Sequence, residues 1–89
     1  MNGERRRTAF ASVTEVYDLA EKAIRLCRDQ NKLDLAGQLD RALGLGSSPL
    51  EILGAIRAIF VQNSDTLSEM LGRAAVTDVV TFVDKAYGR

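Results

Sequence analysis

Ser48-Pro49-Leu50-Glu51-Ile52-Leu53-Gly54-Ala55-Ile56-Arg57-Ala58-Ile59-Phe60-Val61-Gln62 is the stretch that decides how the rest of the chain must be arranged. It opens with two independent helix-start signals. Ser48 and Glu51 have the spacing of a capping box, in which the two side chains reciprocally satisfy orphan backbone N–H groups. Pro49 stands at the first helical position, where a missing N–H does no harm. From there to Gln62, seven large apolar residues (Leu50, Ile52, Leu53, Ile56, Ile59, Phe60 and Val61) point in almost every direction. Gly54, Ala55 and Ala58 keep one side thin enough for close approach. A helix that is apolar around most of its circumference has to be covered on several sides. The stretch therefore predicts a central helix over about 49–62, with the remaining elements packed around it.

Working back toward the N-terminus, Gly44-Leu45-Gly46 marks the end of a preceding helix, with a glycine available for a left-handed cap. That helix, over about 34–43, carries Leu35, Ala36, Leu39, Ala42 and Leu43 on one face. Before it, the polar stretch Asp29-Gln30-Asn31-Lys32 turns the chain. So short a connection implies an antiparallel helical hairpin.

The first helix is expected over about 12–30, opened by Ser12 and Glu15 as a second capping box. At about 100° per residue, Val13, Val16, Tyr17, Ala20, Ala23, Ile24 and Cys27 share one face, with Leu19 and Leu26 along its edge. The opposite face is charged. Asp18–Lys22 and Glu21–Arg25 on it are i,i+4 pairs in the favourable order.

Beyond residue 62 the signals are shorter. Thr66 and Glu69 suggest a fourth helix that buries Leu67, Met70, Leu71 and Ala74. Thr77 suggests the cap of a fifth, with Val79, Val80, Phe82, Val83, Ala86 and Tyr87 inward and Gly88 as its stop. The β-branched residues between Val76 and Val83 also suit a strand. A lone strand would have no partner to pair with, so a helix is expected there. The fold class is all-α: a compact bundle of four to five helices in one domain over residues 12–88. Residues 1–11 are expected to form a flexible N-terminal arm, because Glu4-Arg5-Arg6-Arg7 has no apolar periodicity.

Composition agrees. The chain has 89 residues, enough for one domain, and seven Gly with one Pro give too little punctuation for a β-sandwich. Twelve basic and twelve acidic residues cancel. That balance argues against a dedicated nucleic-acid binder, whose affinity comes from neutralising phosphates, and against docking on anionic membranes. The most apolar stretch, Leu50 to Val61, contains Glu51 and Arg57 and is shorter than the ~20 residues a bilayer requires. No apolar run follows the basic segment near the N-terminus, so no signal peptide is expected. The single Cys27 cannot form an internal disulfide and suits a reducing compartment. A cytoplasmic protein follows as the expectation.

Chemistry is thinly supplied. There is no histidine, which removes the commonest general base and most transition-metal sites. Cys27 falls on an apolar helix face, where a free cysteine behaves as a small hydrophobe. Asp34 and Asp40, or Asp78 and Asp84, are six apart and do not converge on one helix face. Asp18 and Glu21 each have a basic neighbour one turn on. The loop from Gly44 to Ser48 runs into a helix start but matches no phosphate-binding fingerprint. No catalytic residue, cofactor or metal is predicted, and the protein is expected not to be an enzyme. A helix-turn-helix fails on the central helix, which offers only Glu51, Arg57 and Gln62 among apolar residues.

The run Gly46-Ser47-Ser48-Pro49-Leu50-Glu51-Ile52-Leu53, continuing to Ile56-Arg57, follows a Leu-Ala-x-x-Leu-x-x-Ala-Leu rhythm from Leu35 to Leu43. Together they resemble small helical bacterial proteins of unassigned function, and the resemblance implies a helical fold and no particular activity. The expected function is a non-catalytic protein–protein interaction module: a small bacterial regulator, adaptor or toxin-neutralising partner. It would bind a protein partner through surface residues such as Leu19 and Leu26. A homodimer through the central helix or the Leu19/Leu26 edge is one arrangement consistent with this. The alternative is a nucleic-acid-associated accessory protein that uses Arg5, Arg6 and Arg7.

Overall fold

The computed structural model describes residues 12–46 and 48–88. Among these residues five helices follow one another: α1 (Val13–Asp29), α2 (Leu33–Leu43), α3 (Pro49–Gln62), α4 (Ser64–Leu71) and α5 (Arg73–Ala86). Among the described residues there is no strand, and Val76 to Val83 lies within α5. The arm over residues 1–11 falls outside the described residues.

α3 has the bounds its sequence dictates. Ser48 is extended, and its Oγ accepts a hydrogen bond from the Glu51 N–H at 3.2 Å, with Pro49 opening the helix. Ser12 differs. It also caps in an extended conformation, but its side chain makes no capping hydrogen bond, and its carbonyl accepts from the Glu15 N–H instead.

The turn from α1 to α2 is a Schellman motif built on Asn31, whose φ is 62°. The Lys32 N–H reaches the Cys27 carbonyl at 2.7 Å and the Asn31 N–H reaches that of Arg28 at 3.1 Å. Asparagine tolerates this left-handed conformation better than most side chains. At the end of α2 the left-handed residue is Gly46, at φ 73°. Gly44, the C-cap itself, stays at φ −89°.

The last two helices correct the sequence reading. Thr66 is not a cap but lies inside α4, which starts at Ser64, directly after Asn63, the residue that caps the end of α3. Asn63 closes α3 through its backbone N–H and its Nδ2, both donating to the Ile59 carbonyl at 2.9 and 3.0 Å. Its own carbonyl then accepts from Leu67. Nor is Thr77 a cap: α5 begins four residues earlier, so Ala74 belongs to it and not to α4. The divider is Gly72, at φ 95° and ψ 144°, a conformation closed to residues with a Cβ. An earlier start lets α5 bury Val76 in its first turn as well as Val79 and Val83.

Among the described residues, seventeen apolar side chains form one continuous core, drawn from all five helices. α3 packs against each of the other four, as its composition demands. Ile52, Leu53, Ile56 and Phe60 are its buried side chains. α1 and α2 make the most extensive pair, closing Val16, Ala20, Ala23, Ile24 and Cys27 against Leu35, Ala36, Leu39 and Ala42. α5 is held to α3 by Arg57 Nε donating to Asp84 Oδ1 at 2.8 Å and by the Tyr87 hydroxyl donating to the Leu50 carbonyl. Tyr87 reaches that carbonyl over Gly54. A Cβ there would collide with its hydroxyl oxygen.

Candidate functional site

The chemistry-bearing residues do not converge. Among the described residues no three His, Cys, Asp or Glu side chains are grouped so as to hold a metal ion. Asp84 pairs with Arg57 across the α3–α5 contact, each about one-third exposed, and Asp78 is separate from it on α5. Cys27 has no exposed surface. Burial pushes its thiol up, against a smaller downward pull from Lys32, so it remains protonated at neutral pH. Every buried side chain in the described core is apolar.

Leu19 and Leu26 occupy different situations. Leu19 is half-buried and packs against the core, completing the inner face of α1. Leu26, two turns on, is half-buried and does not join the core formed by the described residues. Arg5, Arg6 and Arg7 lie outside the described residues.

Several clefts carry mixed charge, among them one between α3 and α5 beside Arg57 and Asp84 and one beside Asp65, Glu69 and Arg73; the two described next adjoin α2. One, of about 420 Å³ between α1 and the end of α2, is lined by Glu21, Arg25, Arg28 and Asp40. Two cations and two carboxylates in solvent cancel there, leaving little preference for a charged ligand. Another, of about 600 Å³, brings Lys32, Asp34, Gln38, Asn63 and Thr66 together beside Leu33.

One concavity is mainly apolar. It is an open groove of about 440 Å³ between α2 and α3, floored by Ala42, Ala55 and Ile59, with Leu45 and Ala58 at its walls and Gln38 and Arg41 on its rim. Leu45 is 50% exposed; Val61, one turn beyond Ala58 on the outer side of α3, is 48% exposed. Leu50 also remains 46% exposed. Ala58 and Val61, three residues apart on the outer side of α3, extend the apolar lining of the groove past its edge.

Its origin is geometric. α3 is apolar nearly all round, but α2, α4 and α5 are 11, 8 and 14 residues long and cover only part of it. The sequence signal was the absence of a polar face on 49–62. Leu45 carried no such signal, because only the turn at Gly46 carries it over the groove.

No family model, curated protein or solved structure matches this chain. The surface has to be read from its own chemistry. No helix among the described residues is long and apolar enough to cross a membrane.

Proposed function

We propose that the protein is a non-catalytic protein–protein interaction module, a small regulator, adaptor or toxin-neutralising partner, and that the α2–α3 groove with the outer side of α3 is its docking surface. The observation that carries this is the exposure of Leu45, Ala58 and Val61 side by side with a groove of apolar lining. Single exposed apolar residues are ordinary, but contiguous ones rimmed by polar groups mark interaction sites. The groove suits protein side chains better than a small ligand, because it is open and has few converging polar groups.

The absence of histidine and the protonated, buried Cys27 support the non-catalytic part of the reading. A bacterial setting is proposed on the resemblance alone. A nucleic-acid role would depend on Arg5, Arg6 and Arg7, since carboxylates outnumber cations among the described residues and would repel phosphates.

The test is comparative capture. Wild-type protein and Ala58→Arg, both verified as folded by circular dichroism, are used as baits against extract from the native host. The reading predicts a protein held by the wild type and released by Ala58→Arg. Identical capture profiles from the two baits would refute this surface.

A further inference from the structure

Resting on that reading of the surface, we propose that its occupant is a second copy of this chain: two α3 helices pack antiparallel about a two-fold axis, with Arg41 of each copy against Glu51 of the other.

The outward row of α3 reads Glu51, Ala55, Ala58, Gln62, with spacings of four, three and four residues. This is the alternation of a helix–helix seam, and small residues at its middle permit close approach. An isologous contact requires that if residue i meets j, then j meets i. Centring the axis between Ala55 and Ala58 sets Ala55 against the partner copy's Ala58, and brings the partner copy's Glu51 level with Gln62. Leu45 and Val61 flank the seam and lose their exposed apolar area to it.

Charge chooses this arrangement. Arg41 and Glu51 are both exposed, and no ion pair joins either to another described residue. Arg41 runs back along α2, its Nη1 lying 3.5 Å from where a Cβ on Gly37 would stand. Arg41 also lines the groove, and the turn of α2 along which it lies is level with Asn63, because Gln38 shares a cleft with that residue, so its guanidinium stands at the height of the half of α3 that ends at Gln62. In the antiparallel pair that is where the partner copy's carboxylate arrives, and the symmetry makes the contact twice. A parallel pair would set Glu51 against Glu51 and leave both arginines unanswered. With equal numbers of basic and acidic residues, two copies meet without net repulsion.

The decisive measurement is mass in solution by sedimentation equilibrium at high-micromolar concentration. Wild type is expected at twice the 9.7 kDa of one chain. Arg41→Glu alone, and Glu51→Arg alone, each place like charges in both symmetric contacts, and each should weaken the dimer by roughly ten-fold or more. An equimolar mixture of the two variants restores opposite charges in both contacts, so it should form a mixed dimer. Arg41→Gln and Glu51→Gln provide milder losses of the same contacts, with circular dichroism confirming the fold of every variant. A wild-type monomer, single variants that dimerise as wild type does, or a mixture that stays monomeric would each overturn the inference. A wild-type monomer whose captured partner is still lost in Ala58→Arg leaves the interaction-module reading standing. A dimer indifferent to Ala58→Arg removes this inference. Loss of the module reading requires the identical capture profiles described above.

Discussion

Gly54→Ala separates local helix physics from tertiary packing in one substitution. Gly54 lies in the interior of α3, where replacing glycine by alanine normally stabilises a helix by about 1 kcal/mol. In this fold the added methyl group meets Tyr87, whose hydroxyl oxygen occupies the space and whose Cζ would lie 3.4 Å away. Tyr87 is 42% exposed, next to the end of α5, and can swing outward. Doing so breaks its hydrogen bond to the Leu50 carbonyl, a loss of about 0.5–1.5 kcal/mol. That carbonyl belongs to the first turn of α3 and keeps its place in the helical ladder, so it is not left without a partner. Gain and loss nearly cancel, and Gly54→Ala alone should change stability by less than about 0.5 kcal/mol.

Tyr87→Phe uncovers the hidden gain. Alone it removes the hydrogen bond and should destabilise by about 1 kcal/mol. In its background the methyl group of Gly54→Ala no longer meets an oxygen, so the full helical gain of about 1 kcal/mol should return. Urea denaturation of the four proteins measures the coupling, expected near 1 kcal/mol. If Gly54→Ala stabilised the wild type as much as the Tyr87→Phe variant, the Tyr87–Gly54 contact would not exist. The packing of α5 on α3 described above would then be wrong at this end.

Ile56 has no exposed surface and sits in the middle of α3, so Ile56→Ala should lower unfolding free energy by about 2–5 kcal/mol. Against a total of roughly 4–13 kcal/mol for a chain of this size, thermal denaturation should show a sharp drop or no folded baseline, while exposed Arg25→Ala should lie within about 0.5 kcal/mol of wild type. Ser48→Ala loses a formed cap and should destabilise by about 0.5–2 kcal/mol; Ser12→Ala, which loses no side-chain cap, should cost distinctly less in the same urea assay. Asn31→Ala forces a Cβ-bearing residue without a local hydrogen-bonding group into φ 62° and should cost about 1 kcal/mol, whereas Asn31→Gly should be neutral or stabilising by equilibrium denaturation. Cys27 should resist a thiol reagent until the protein unfolds; because its folded pKa is raised, its contribution to stability is present at neutral pH and is lost as pH climbs above the ordinary thiol range. Rapid labelling under native conditions would contradict its burial.

Helix identity, and facing over most of each helix, were legible in the chain because they are local; at the end of α5, Ala86 and Tyr87, expected inward, are exposed. The 3.6-residue rhythm of 13–29 names the residues α1 buries, and Ser48-Pro49 starts α3 where its signals stand. The same local signals misplaced Thr66 and Thr77. A cap contributes about 1 kcal/mol, while burying a valine contributes about 1.5–3 kcal/mol. Starting α5 at Arg73 buries Val76, and Gly72 supplies a backbone conformation that divides it from α4. The contacts that seat α5 on α3, Tyr87 to Leu50 and Arg57 to Asp84, span 37 and 27 residues, distances over which no sequence pattern operates.

The candidate site divides in the same way. From the sequence alone, residues 49–62 have more apolar surface than short neighbours can cover. Which part stays bare is decided by where those neighbours land: α2 stops at Leu43, Gly46 turns Leu45 over the groove, and α5 takes the Gly54 side through Tyr87. Periodicity reports what a helix face is made of. Only the packed arrangement of five helices determines whether anything lies against it.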